Sequence, residues 1–156
     1  KHQSVFEEQI SLVSGPSHPF FGRDTVDVSE LAHVQFVALS PQTSTGGLIR
    51  SYLDRLGLDI VPAVTTDNVE TVKKMVEEGV GVAFLPDMVT ADDVGVDGKP
   101  GRLARSKVEP ALALPLVLVT WRDTQHSLAL DAFIEEVCRM GRNWDAQRAR
   151  PSVPIS

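Results

Sequence analysis

The chain has 156 residues, 42% of them hydrophobic, enough to bury one core within the usual range of a single domain. Its 15 Lys and Arg stand against 21 Asp and Glu, a formal net charge of −6, so it lacks the basic footprint that displaces counterions from a nucleic-acid backbone. Cys138, the only cysteine, cannot form an internal disulfide, and no run approaches the roughly 18–20 apolar residues of a membrane span.

Lys1–His2–Gln3 leads into mixed polar and acidic residues rather than a signal-peptide pattern, so a cytoplasmic location is expected. Val5–Val13 alternates and stops at Ser14–Gly15–Pro16, which predicts a strand and a turn. Residues 17–22 read as a loop, Ser29–Ala32 as one helical turn, and Phe36–Leu39 as a second strand. A polar loop, Ser40–Gly47, then leads into Leu48–Leu56, where Ile49, Leu53 and Leu56 recur at helical spacing and Gly57 stops the pattern. Ile60–Val64 predicts a third strand, and Asp67 with Glu70 suggests a capping box for a helix over Asn68–Glu78 with Val69, Val72 and Val76 buried. Val80–Pro86 is a continuous apolar run, as in a strand buried on both faces. Residues 87–110 show no periodicity and read mostly as loop. Leu114–Trp121 predicts a strand and Leu128–Arg139 an amphipathic helix. Residues 1–140 form the expected domain, and 141–156 a loose polar tail.

The Ser40–Gly47 loop is the best candidate for chemistry. Free amides and the positive end of the dipole at a helix start attract an anion; Thr43, Ser44 and Thr45 add hydroxyl donors, and Gly46 and Gly47 allow close approach to the backbone. A charge-assisted hydrogen bond contributes roughly 1.5–3 kcal/mol, the dipole alone only about 0.3–1, so hydroxyls and amides would dominate. The competing reading is that Ser, Thr and Gly are what loops and caps contain, and it also covers Thr65–Asn68.

Catalytic constellations do not emerge. The four histidines are scattered without metal-ligand spacing, Cys138 reads as a small core residue, and Asp92–Asp93 as a solvated acidic loop. Gly79–Val80–Gly81 follows a helix, the wrong context for a dinucleotide fingerprint. No enzyme site, metal or cofactor is expected.

Three stretches resemble the effector-binding domain of LysR-type transcriptional regulators: Ser17–His18–Pro19 with Gly22–Arg23–Asp24 and Val28–Ala32; the Ser/Thr loop with its helix ending Arg55–Leu56–Gly57–Leu58; and, most specific, Asp67 through Pro86. With the strand reaching Trp121 and the closing helix, the likeness covers about residues 5–140. It implies an α/β fold like the type 2 periplasmic binding proteins, here a Rossmann-like subdomain with a mixed, mainly parallel sheet flanked by helices, plus a returning strand and helix. By position it implies effector contacts at Thr43, Ser44, Thr45 and Gly46, with Val82 and Phe84 lining the cleft. The expected partner is a small anionic effector, with DNA reached only through a helix-turn-helix outside this chain. A homo-oligomer is expected, because the strand Leu114–Trp121 and the helix after it leave apolar surface uncovered. The cysteine-pair mechanism of peroxide-sensing members does not fit a single Cys138. An extracytoplasmic solute-binding protein of the same fold is the alternative, and an enzyme on this scaffold would need catalytic residues from elsewhere.

Overall fold

The computed structural model describes residues 2–95, 99, 101–120 and 127–148; Trp121, His126 and residues 149–156 of the expected tail lie outside the described residues. The chain divides into two compact units, one of residues 9–114 and one of the first eight residues with those from 115 onward.

In the larger unit a central sheet is built around β1 (His2–Ser14), which contributes residues 9–14 here. β1 runs antiparallel to β5 (Ala83–Pro86), pairing Ile10 with Pro86 and Val13 with Ala83, and antiparallel to β6 (Ala104–Val108) on its other side. β2 (Thr25–Val26) adds to β6 in parallel. β3 (Val37–Leu39) pairs in parallel with β4 (Val64–Thr66), and the Phe36–Val82 bridge, with Val37 N–H donating to Val82 O at 2.9 Å, continues the order from β5.

Strand periodicity then sets the layers. Ile10, Leu12, Phe36 and Phe84 face one core with Ile49, Tyr52 and Leu53 of helix α1 (Ser44–Arg55). Their strand neighbours Val13, Val37, Ala83 and Leu85 face a second core with Val72 and Val76 of α2 (Val69–Glu77). Successive strand residues point to opposite faces, so one helix covers each side of the sheet. A 3₁₀ turn at Val28–His33 carries a capping box from Asp27 and Glu30, and Arg23 grips both Glu30 carboxylate oxygens at 2.8 Å.

Several elements depart from the sequence reading. α1 starts at Ser44, four residues before the expected Leu48, because Thr43 supplies the cap and the chain tolerates Gly46–Gly47 inside the first turns. The strand expected at Ile60–Val64 lies at Val64–Thr66; Pro62 has no amide to give, and the ladder forms beyond it. The cap of α2 is Asn68, accepting from Thr71 N at 3.0 Å; Glu70 reaches Lys73 instead of closing a box with Asp67. Within the expected loop 87–110 lie a 3₁₀ turn, Asp87–Thr90, and all of β6. Asp93, expected to be solvated, is 3% exposed and pairs with Lys73 and Arg102.

The smaller unit holds the start of β1, the end of β7 (Leu112–Val119), which pairs with β1, and α3 (Leu128–Arg148). α3 continues past Gly141. A Cβ there would stand 2.5 Å from the Val5 carbonyl oxygen, so glycine lets helix and strand touch. Cys138 is buried on the same side, whereas Leu128, Phe133 and Met140 are exposed. Among the described residues no helix is long and apolar enough to cross a membrane.

Candidate functional site

β3 and β4 end side by side, and each is followed by a helix start. Ser40 N–H donates to Thr66 O at 2.8 Å, tying the two connections together. The N-termini of α1 and α2 therefore lie at one edge of the unit, where their unpaired amides and dipoles reinforce each other.

Thr43 is the N-cap of α1. Its hydroxyl donates to Ser40 O at 2.7 Å and accepts from Gly46 N at 3.0 Å, so its function is first of all to close the turn. Gly46 is buried, and a Cβ on it would fall 2.0 Å from Ser40 O. Only glycine lets the helix start pack on the loop this tightly, a requirement separate from ligand approach. Ser44 is exposed and Thr45 half-buried, and among the described residues their hydroxyls meet no hydrogen-bond partner. As the first two helical residues, their amides have no intrahelical acceptor either. Two amides and two hydroxyls are thus available together.

No free cation supplements them from α1. Arg50, on the second turn, is held by Asp54 at 3.0 Å and Asp59 at 3.7 Å and donates to Ile60 O. An anion here would be met by neutral donors at the end of a dipole, as at other helix N-termini.

Of the six expected contact residues, the structure gathers Thr43, Ser44, Thr45 and Gly46 at this helix start. Phe84 is 4% exposed, stacked on Phe36 with ring centroids 6.1 Å apart and edge-on to Tyr52 at 5.7 Å. It shares with Gly46 the lining of a cavity of about 260 Å³ beneath α1. Val82 is fully buried at the opposite end of its strand; it pairs with Phe36, three residues before the end of β3, or about 10 Å away at strand rise. The cavity itself is invisible to helical periodicity, which marks Ile49 and Leu53 as core without saying that the core is incompletely filled.

Beside α2, Lys73 Nζ lies 2.6 Å from Asp93 Oδ2 and 2.9 Å from Glu70, and Arg102 closes on the other Asp93 oxygen. Burial lowers the Lys73 pKa, but the bonds to Asp93 and Glu70 outweigh it and hold the ammonium above its usual range. This cluster fastens the segment after β5 to α2.

Residues 1–141 match a family model described as LysR substrate binding domain. The HTH-type transcriptional regulator CbbR of Cereibacter sphaeroides is 37% identical over 84 residues, 53% of this chain and 27% of that protein. The "Probable RuBisCO transcriptional regulator" of Cyanophora paradoxa is 25% identical over 138 residues, 86% of this chain and 41% of the relative. The chain thus spans well under half the length of these relatives. Among solved structures, the Synechocystis PCC6803 CcmR regulatory domain in complex with 2-PG superposes with a TM-score of 0.77 at 14% identity, covering 92% of this chain and 67% of that one. The effector binding domain of QuiR in complex with shikimate gives 0.71 at 15% identity, covering 92% and 66%. These likenesses fix the fold as that of LysR effector-binding domains, which is periplasmic-binding-protein-like.

Proposed function

The chain belongs to the LysR substrate binding domain family, and from this premise we propose that it is an effector-sensing regulatory module of a transcriptional regulator. The effector is a small anionic metabolite, and its occupancy alters transcription through a DNA-binding helix-turn-helix outside this chain. The observation that carries the reading is the start of α1, where the amides and hydroxyls of Ser44 and Thr45 stand without partners among the described residues, beside the start of α2. Such donors hold a carboxylate or phosphate without catalysing anything, and the module is accordingly not an enzyme.

The named relatives regulate transcription, which favours this reading over a solute-binding protein of the same fold. The regulator works as a homo-oligomer; the exposed Phe133 and Met140 of α3 support this. Within the cell the module is cytoplasmic, where its DNA target is.

Calorimetric titration of the full-length protein with 2-PG, shikimate and other small carboxylates and phosphate esters tests the site. Ser44→Ala combined with Thr45→Ala removes two charge-assisted hydrogen bonds at roughly 1.5 kcal/mol or more each, so affinity for the bound anion falls by about a hundredfold or more while the circular dichroism stays unchanged. Unaltered affinity removes these residues from the site.

A further inference from the structure

The cavity of about 260 Å³ beneath α1 lies wholly within the larger unit; Pro41 and Gly46 of the helix start border it, whereas Ser44 and Thr45, which carry the free hydroxyls, do not line it. Phe36, Ala38 and Phe84 of the sheet form its floor, and Ile49 and Leu53 of α1 form one wall. Four of these five side chains are 8% exposed or less, while Pro41, Arg50 and Thr65 of the lining are exposed, so the space is a deep-floored pocket that opens to solvent. Its floor and wall are carbon, so a bound apolar group removes more apolar than polar surface from water.

The chemistry at the mouth selects the occupant. Arg50 and Ile60 lie there, but Arg50 is already held by Asp54 and Asp59 and leans on the Ile60 carbonyl, leaving two carboxylates against one guanidinium. An anion gains nothing from Arg50 at such an entrance. Thr65 supplies the one side-chain hydroxyl among the lining residues. The volume falls just below the range of drug-sized pockets, about 300–1,000 Å³, and exceeds the roughly 150 Å³ of a dry cavity that admits benzene.

We propose that this cavity is a second binding site, taking a neutral one- or two-ring aromatic molecule between the Phe36–Phe84 floor and the Ile49–Leu53 wall. Offset or edge-on stacking against the two phenyl rings and release of apolar surface from water supply the affinity. The proposal does not depend on the anionic effector, and its readouts lie on different residues.

Indole is the probe. In methyl NMR of the full-length protein, indole is expected to give saturable shifts centred on the Ile49, Leu53 and Ile60 methyls. Benzoate, the same class of ring with a charge, is expected to act on those methyls at least about tenfold more weakly. Ala38→Ile, which fills the floor, is expected to weaken indole by about tenfold or more. The proposal is overturned if these methyls show no saturable shift up to the solubility limit of indole, or if benzoate matches indole at them. A folded Ala38→Ile variant that binds indole as well as the parent also overturns it; should that variant not fold, the two titrations of the parent chain decide.

Discussion

Asp93 is one carboxylate shared by two cations, Lys73 from α2 and Arg102 from the segment before β6, and it is 3% exposed while Lys73 is only 13% exposed. Removing one partner of a buried pair strands the other, at roughly 3–5 kcal/mol. Asp93→Asn is expected to cost about 3 kcal/mol in urea unfolding, the lower end because Glu70 still holds Lys73. Lys73→Met in the same background should recover part of that loss, since no unpaired ammonium remains. A neutral Asp93→Asn would show that the cluster is merely solvated. The sequence shows Asp92–Asp93 only as an acidic pair in an aperiodic stretch, and acidic pairs in loops usually face water. What makes one of them buried is the return of Arg102 across the turn, a long-range event without a local pattern. Thr43 was the opposite case: its role as a cap follows from residue type and position once the helix start is known.

The helix start is itself an element-scale matter. Apolar spacing locates the body of α1 from Ile49 to Leu53 but is silent about the turn before it, where Ser44–Thr45–Gly46–Gly47 carries no apolar residue. The two glycines, which lower helix propensity, have different reasons to be there. A Cβ on Gly46 meets Ser40 O at 2.0 Å, whereas one on Gly47 meets Pro41 O at 3.1 Å. Gly46→Ala is therefore expected to destabilise by about 2 kcal/mol through displacement of the first turn, while Gly47→Ala stays within about 0.5 kcal/mol of the parent, its better propensity offsetting a tight contact. Thermal unfolding of the two variants distinguishes them, and equal losses would contradict this account of the turn. β6 was missed for a related reason. Ala104–Val108 places Arg105 and Lys107 among its five residues, so it lacks an apolar signature; it is a strand because β1 and β2 pair with it and because buried Ser106 donates to Arg23 O at 2.7 Å. By contrast β5, with all four residues buried, was legible as an apolar run, although the strand begins at Ala83 and the expected first residue, Val80, is exposed.

At the scale of the whole molecule, the order of strands and helices and the Asp67–Pro86 stretch were enough to indicate the family, and the match over residues 1–141 bears that out. The candidate helix start was legible from its Ser, Thr and Gly content and no further: which of its donors remain free depends on Thr43 satisfying its own turn, and that is a three-dimensional fact. The proposed function joins this helix start to transcription. Footprinting of the full-length protein on its own promoter region, with and without an anion that calorimetry shows to bind, tests that join directly. The prediction is an altered footprint on ligand addition that is lost in the Ser44→Ala, Thr45→Ala variant although that variant still binds DNA. A footprint unchanged by every ligand the protein binds, or altered equally in the variant, would contradict it.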